Sequence, residues 1–398
     1  MDNSVLSKAR YFVLLLLVFL ITISSHPTIV TISKNAGMAS GTILSRYIIV
    51  VFAALFLLCL NIKSMFASKI IRVSWAIYIL ILVSFFATYA AFGKDTMNSD
   101  ARSIAICLAA IMIGWQLRMN ENKANTVMLL YSGLTLFVGL MQINTNIGGF
   151  QILDQYQTDN KNALGVMLST GGTVFLMMGM KRGGGIRSVI MLLLFSFSIV
   201  ILLTIRARTA TLALIIAALY VLYERFRGKY FLFYFFLGIA IVVVVYLLMP
   251  SVAKEYIYNS FFQHREDDFT SGRMERNIIA LDFLSEHFFL GDLNQDYHIA
   301  RIHNYLLNRA FEFGFFFVLP IVFLYFYLLL NTVLKTIRSN CQDIQSIGYF
   351  LLLIPFIISM AEYSFPYGPG TATVFNFIMF GQALRMSNGQ NSRVSLRH

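Results

Sequence analysis

The stretch that decides the fold is IRSVIMLLLFSFSIVILLTIRARTATLALIIAALYVLY, residues 186–223, in which two apolar runs flank Arg206-Ala207-Arg208. As one helix it would measure about 57 Å at ~1.5 Å per residue, almost twice the roughly 30 Å hydrocarbon core of a bilayer. Guanidinium groups are also costly to leave in hydrocarbon. The sequence therefore predicts two membrane-spanning helices, joined by a short turn that contains both arginines.

The rest of the chain has the same apolar character. Of its 398 residues, 58% are hydrophobic and only 13% are charged, and the mean hydropathy is +0.71, which excludes an ordinary soluble domain. Apolar runs suited to membrane-spanning helices lie at 11–29, 43–62, 73–92, 102–117, 126–142, 162–180, 187–205, 208–223, 230–249, 309–331, 346–362 and 370–384. The predicted fold class is an all-α polytopic integral membrane protein with about 12 transmembrane helices.

Charge gives the orientation. With the N-terminus inside, the predicted inner segments hold 18 Lys and Arg residues against four acids, whereas the outer segments hold 13 against 15. Basic excess on inner loops is the positive-inside rule. Both termini are therefore predicted to be cytoplasmic, with residues 386–398 as a cytoplasmic tail. The basic residues do not cluster with aromatic residues as they do in nucleic-acid binders, so no nucleic-acid partner is predicted.

Residues 250–302 form the one long polar interruption, and nine of the 19 acids of the chain lie there. This predicted external loop contains no cysteine, so the sequence gives no sign of a disulfide or of a thiolate metal site in it. The loop separates a membrane domain at 1–249, with nine predicted helices, from a second at 303–385, with three. Water-soluble chemistry is expected at this loop.

Two sites at the predicted outer face contain arginines that can bind an anion. Arg206 and Arg208 lie in the outward-facing turn, where guanidinium groups match phosphate oxygens but can equally extend toward lipid headgroups. Arg273 follows Thr270-Ser271-Gly272 at the predicted start of a loop helix that ends before Gly291. A helix N-terminus favours an anion. The alternative is a solvated arginine on an amphipathic helix that rests on the membrane.

His303-Asn304 stands where the chain re-enters the membrane. A histidine titrates near neutral pH, so His303 can act as a general base toward a sugar hydroxyl. The alternative is a polar residue at the membrane interface without a chemical role.

These pieces, in this order, resemble a known family. His303-Asn304, nine residues and then Gly314 is similar to the signature of the O-antigen ligase and O-antigen polymerase superfamily. The supporting motifs are Leu203-Thr204 with Arg208-Thr209-Ala210, then Thr270-Ser271-Gly272-Arg273, and Asp159-Asn160-Lys161-Asn162. The twelve-helix plan with a large loop between the ninth and tenth helices is also similar. Ala207 departs from the Ser or Thr that usually precedes the arginine, which leaves open whether Arg206 or Arg208 is functional. Residues 315–317, all phenylalanine, replace the small residues often found there.

The resemblance implies a GT-C-like fold and a metal-independent, inverting glycosyltransferase without a cofactor. Its donor is a glycan on undecaprenyl pyrophosphate, and its location is the bacterial cytoplasmic (inner) membrane with a periplasmic loop. By this resemblance Arg206 or Arg208, together with Arg273, would bind the pyrophosphate, and His303 would be catalytic. Lys161, Asn304 and Glu362 are candidate substrate-binding residues. Membrane lipid and a chain-length regulator are candidate partners.

Three functions remain open at this stage. A short external loop and the segment with Glu362, Pro366 and Pro369-Gly370 favour a polysaccharide repeat-unit polymerase. A ligase that transfers the glycan to lipid A–core is the alternative within the family. A lipid-linked oligosaccharide flippase is the alternative from another class, but the ionisable residues of the predicted spans lie at the span ends.

Overall fold

The computed structural model describes residues 3–26, 44–61, 66–93, 97–147, 158–181, 185–205, 207–225, 273–293, 302–339, 343–368 and 371–394, with the single positions 29, 30, 33, 236, 247 and 251. Within these ranges the chain is helical and contains no strand. The helices are α1 Asn3–Ser24, α2 Leu44–Cys59, α3 Lys69–Phe92, α4 Met97–Leu117, α5 Glu121–Ile147, α6 Thr158–Gly179, α7 Gly185–Thr204, α8 Arg208–Arg225, α9 Arg273–Glu286, α10 Tyr305–Arg338, α11 Ile344–Ser359 and α12 Val374–Val394.

The described part of the chain is all-helical, as predicted, and its apolar helices are compatible with a multi-pass membrane protein. Seven of the described helices (α1, α3, α4, α5, α6, α7 and α10) are long and apolar enough to cross a membrane, and α2 and α11 are shorter apolar helices. The span predicted at 230–249 lies outside the described residues, so the count of twelve crossings stays a prediction. α12 continues to Val394, ten residues beyond the predicted end of its span, into the segment expected to be the tail.

Successive apolar helices end alternately at the two ends of the bundle, as a polytopic chain requires. At one end of the bundle Arg273 at the start of α9 contacts Glu362 after α11, and Arg309 near the start of α10 pairs with Asp100 near the start of α4. At the other end Lys181 after α6 pairs with Glu121 at the start of α5. These are the groupings expected if every apolar helix crosses the same layer.

The interior of the bundle is built on close helix contacts. α6 lies at its centre, because 89% of the most apolar 18-residue stretch of this helix is buried. The corresponding share for α7, at the periphery, is 17%. α4 and α12 approach so closely that a Cβ on Gly114 would lie 1.9 Å from the Ile378 carbonyl oxygen, and one on Gly381 would lie 2.1 Å from that of Ile111. Glycine at both positions lets the two backbones touch, as in other tightly packed membrane helices.

α10 is interrupted where the turn after α9 meets it. Gly314 has φ 74° and ψ 159°, so the helix breaks there. In an unbroken helix the Phe315 amide would donate to the Phe311 carbonyl. Here Phe315 N–H donates to the Phe288 carbonyl at 2.8 Å, and the Phe311 carbonyl accepts from Asp292 N–H at 2.8 Å. The turn after α9 therefore replaces one helical hydrogen bond with two of its own.

The same junction explains the glycine of the His-Asn-x9-Gly pattern. A Cβ on Gly314 would lie 2.2 Å from the Phe289 carbonyl oxygen, and one on Gly291 would lie 2.4 Å from the Gly314 amide nitrogen. Both glycines have positive φ, at 74° and 56°. Only glycine meets the conformational and steric requirements at these two positions. We refer to this crossing of residues 288–292 with residues 311–315 as the loop junction.

The orientation of the bundle remains a prediction and can be tested by labelling. We expect a single cysteine at Glu286→Cys, which is exposed on α9, to react with an impermeant maleimide in intact spheroplasts. A cysteine at Asn122→Cys, exposed at the opposite end of α5, should react only after lysis. Native Cys59 and Cys107 are buried, so Cys341→Ser provides the background. The reverse pattern of labelling would contradict the charge-based orientation.

Candidate functional site

A buried carboxylate is the centre of the candidate site. Glu362 lies in the connection between α11 and α12, and only 4% of its side chain is exposed. Its Oε1 accepts a hydrogen bond from Arg273 Nη2 at 3.0 Å, and its Oε2 accepts one from Asn162 Nδ2 at 3.0 Å. The Nδ1 atom of His303 lies 3.8 Å from the same Oε2. One carboxylate thus connects α6, α9 and the entry to α10.

Arg273 joins three parts of the chain. As the first residue of α9 it donates from Nη1 to the Ala361 carbonyl at 2.8 Å and to the Thr209 hydroxyl oxygen at 3.3 Å, in addition to its bond with Glu362. These bonds use three of its five N–H groups. The other two have no partner among the described residues, and about a third of the side chain is exposed.

The position of His303 is fixed by the next residue, Asn304. One ring nitrogen of His303, Nδ1, has no hydrogen-bond partner among the described residues. The Asn304 side chain caps α10 by accepting from Leu307 N–H at 3.0 Å, and its Nδ2 donates to the Met360 carbonyl at 3.2 Å. His303 Nδ1 is buried without a hydrogen-bond partner there, although 24% of the side chain is exposed. The exposed part of the ring is therefore formed by its other atoms.

Four residues predicted from sequence come together here: Arg273, His303, Asn304 and Glu362. Arg208 begins α8 directly before Thr209, so it lies beside the Arg273 contact and is partly exposed. Arg206 and the segment Thr270-Ser271-Gly272 lie outside the described residues. The structure thus brings the motif of α8, the start of α9, the His-Asn pair and the α11–α12 connection to one end of the bundle.

Two residues that contact the site were not predicted, and each directly follows a charged residue that was. Lys161 was predicted as a substrate ligand, yet the residue that reaches Glu362 is Asn162, the next in the chain. Thr209 follows Arg208 in the same way and binds Arg273. Glu362 itself was predicted to bind substrate, and both of its oxygens accept hydrogen bonds from protein side chains. Sequence motifs located these segments, but not which of their residues point inward.

A second polar cluster lies in the first turns of α10, shortly after His303 in the chain. Arg309, near the start of α10, donates from Nη2 to Asp100 Oδ1 at 2.9 Å and also pairs with Glu312. Asp100 comes from α4, so this buried ion pair ties α4 to α10. Removing one partner from a buried pair typically costs about 3–5 kcal/mol, because the other charge is left uncompensated.

This cluster is connected to the histidine through the backbone. Asn308 donates from Nδ2 to Glu312 Oε1 at 2.9 Å, and its Oδ1 accepts from Ile302 N–H at 3.2 Å. His303 is the next residue, and Asn304 fixes its other side. The backbone on both sides of His303 is therefore held by asparagine side chains, as a residue that must keep its position requires.

Within the described ranges no group of three or more His, Cys, Asp or Glu side chains could hold a metal ion. Comparison with known proteins adds no assignment: no protein-family model matches the chain, and no curated protein matches it.

Proposed function

We propose that the chain is a metal-independent, inverting glycosyltransferase of GT-C-like fold that polymerises the repeat units of a bacterial surface polysaccharide. The donor is a glycan on undecaprenyl pyrophosphate, and the acceptor is a hydroxyl of another lipid-linked unit. One observation carries the proposal. A guanidinium with unused donors, a partly exposed imidazole and a buried carboxylate meet at one end of a membrane-spanning bundle.

The arginines act on the donor. Arg208 and Arg273, with Arg206 as the alternative at the α7–α8 turn, bind the pyrophosphate and stabilise the charge that develops as it leaves. Guanidinium groups match phosphate oxygens with two parallel hydrogen bonds and do not deprotonate. Stabilising a leaving group in this way is an electrostatic role that a metal performs in other transferases. The Glu362 carboxylate fixes the orientation of the Arg273 guanidinium group.

His303 acts on the acceptor. As the acceptor hydroxyl oxygen forms its bond to the anomeric carbon, the bond from that carbon to the pyrophosphate oxygen breaks, and the configuration inverts. The hydroxyl proton moves to the imidazole, and undecaprenyl pyrophosphate departs as the anion. The Glu362 carboxylate, 3.8 Å from Nδ1, stabilises the imidazolium that forms, as the carboxylate of a catalytic triad does. Asn304 and Lys161 are the candidate contacts to the sugars.

The setting of the reaction follows from the same proposal. The protein resides in the cytoplasmic (inner) membrane with both termini in the cytoplasm, and its external loop lies in the periplasm. A lipid-linked donor has its pyrophosphate at the membrane surface, where Arg273 and His303 are expected to lie. A chain-length regulator is the proposed protein partner.

A reaction with purified components tests this function. We expect the protein in nanodiscs, given a radiolabelled lipid-linked repeat unit, to form longer lipid-linked glycan and to release undecaprenyl pyrophosphate at the same rate with and without EDTA. The reason is that arginines rather than a cation stabilise the leaving group. Activity that EDTA removes and magnesium restores would contradict the arginine role. Absence of product in both conditions would contradict the transferase itself.

A further inference from the structure

The helix α9 has three distinct faces. Ala280, Phe283 and Leu284 are buried, and Ala280 and Phe283 pack with Ile302 and Phe311, so one face is fixed to the protein. Met274, Ile278, Leu281, Leu284 or Ser285, and Phe288 recur at helical spacing in the sequence. In the structure Leu284 is buried, whereas the others are exposed. The helix therefore carries a second apolar surface beyond the one that packs on the bundle.

The exposed side of α9 is divided between charge and hydrocarbon. Glu275, Asp282 and Glu286 are exposed and follow one another at spacings of seven and four residues, which places them on one stripe. Ile278 and Leu281, exposed by 50% and 57%, lie on the adjacent stripe, about a quarter-turn away. A helix with one face on protein, one acidic and one apolar has the pattern expected at a boundary between water and lipid.

The apolar stripe continues into the exposed apolar surface of α10. The turn after α9 exposes Phe288, Phe289 and Leu290 by 45%, 68% and 50%. The ring of Phe288 stacks on that of Phe315 with centroids 4.8 Å apart, and the next residue, Phe316, is 66% exposed in a long apolar helix. The loop junction holds this turn in place. The exposed apolar surface of the loop is thus continuous with the exposed apolar surface of a helix that is long enough to cross a membrane.

We propose that the apolar stripe and the 288–290 turn are embedded in the outer leaflet, so that α9 lies in the membrane interface with its acidic stripe in water. The occupant of this surface is lipid acyl chain rather than a charged headgroup, because the stripe contains no Lys or Arg. Such helices are buried about 5–10 Å into the boundary between headgroups and acyl chains. Embedding should consequently be insensitive to salt and to the fraction of anionic lipid.

This placement sets the depth of the candidate site, since Arg273 is the first residue of α9. The inference does not depend on the proposed function, because it concerns lipid contact alone. It also resolves the two interpretations of Arg273, since α9 can rest on the membrane while its arginine turns inward to Glu362.

Spin labels can measure the depth directly. In the Cys341→Ser background, with the buried Cys59 and Cys107 retained, nitroxides are attached at Leu281→Cys and Phe289→Cys, with Asp282→Cys as the matched control on the neighbouring face. In liposomes of zwitterionic lipid we expect the first two to collide with dissolved oxygen more than with a water-soluble nickel chelate, at a depth of about 5–10 Å. The control should show the opposite preference.

Two results would overturn the proposal. Free access of the nickel chelate at all three positions would mean that α9 is surrounded by water. Protection from both reagents, together with dipolar broadening between labels, would mean that a second copy of the chain covers the stripe. If a labelled variant fails to fold, Phe289→Trp gives the same information through quenching by brominated lipid beyond that of the unmodified protein, which contains Trp75 and Trp115. Absence of additional quenching counts against lipid contact.

Discussion

Replacing His303 with alanine is expected to lower glycan transfer by about 10²–10⁴-fold, because a positioned general base contributes that much to a proton transfer. The protein should still reach the membrane at normal levels, since Asn304 and Asn308 hold the backbone on both sides of the histidine without its ring. Transfer is measured as polymer length on a gel and as the rate of release of undecaprenyl pyrophosphate.

The matched control is His287→Ala. His287 is exposed directly after α9, and its ring lies beside Phe283. Near-normal transfer by His303→Ala would return that residue to a role at the membrane interface.

Arg273→Ala should lower the rate of transfer by about 10²–10³-fold through the lost electrostatic contact. Combined with His303→Ala it should lose little more than the worse single variant, because residues that act as one unit are not additive.

Replacing Gly314 with alanine is expected to open the loop junction. The new Cβ would lie 2.2 Å from the Phe289 carbonyl oxygen, and alanine is strained at φ 74° and ψ 159°. Strain of about 1–3 kcal/mol and the loss of two hydrogen bonds at ~1 kcal/mol each give a total of about 3–5 kcal/mol. Because the junction fixes the end of α9, both thermal stability in detergent and transfer should fall.

Gly133→Ala is the control for this change. Gly133 lies inside α5, and a Cβ there would meet no atom within 4 Å, so alanine should raise helix stability by up to about 1 kcal/mol. Equal thermal stability of Gly314→Ala and the unmodified protein would contradict the junction. A fall in both variants would mean that the bundle tolerates no glycine change, and it would remove Gly314 as a specific feature.

Much of the fold could be read from hydropathy, because long apolar runs leave a chain few alternatives to membrane-spanning helices. The helix boundaries were predicted less accurately than the existence of the helices. α10 begins at Tyr305 and ends at Arg338, extending beyond the predicted 309–331 at both ends. Hydropathy detects the part of a helix that lipid surrounds, whereas polar turns that continue into water or protein carry no such signal.

The candidate site was predictable where a motif marked it and not where contacts join distant segments. The order of Arg273, His303 and Glu362 indicated residues that meet. The Asp100–Arg309 pair spans 209 positions of sequence, and nothing local to either residue specifies the other. The role of Gly314 was equally hidden, since its requirement for glycine comes from a turn more than twenty residues earlier.

The most direct test of the proposed function is deletion of the gene in its host, followed by electrophoresis of the lipopolysaccharide. A repeat-unit polymerase predicts core that carries a single repeat unit, because ligation still proceeds on unpolymerised donor, and plasmid-borne protein should restore the ladder while His303→Ala should not. Bare core with polymer left on undecaprenyl pyrophosphate would contradict polymerisation and indicate the ligase. Bare core with single units retained on the inner leaflet would contradict glycan transfer altogether.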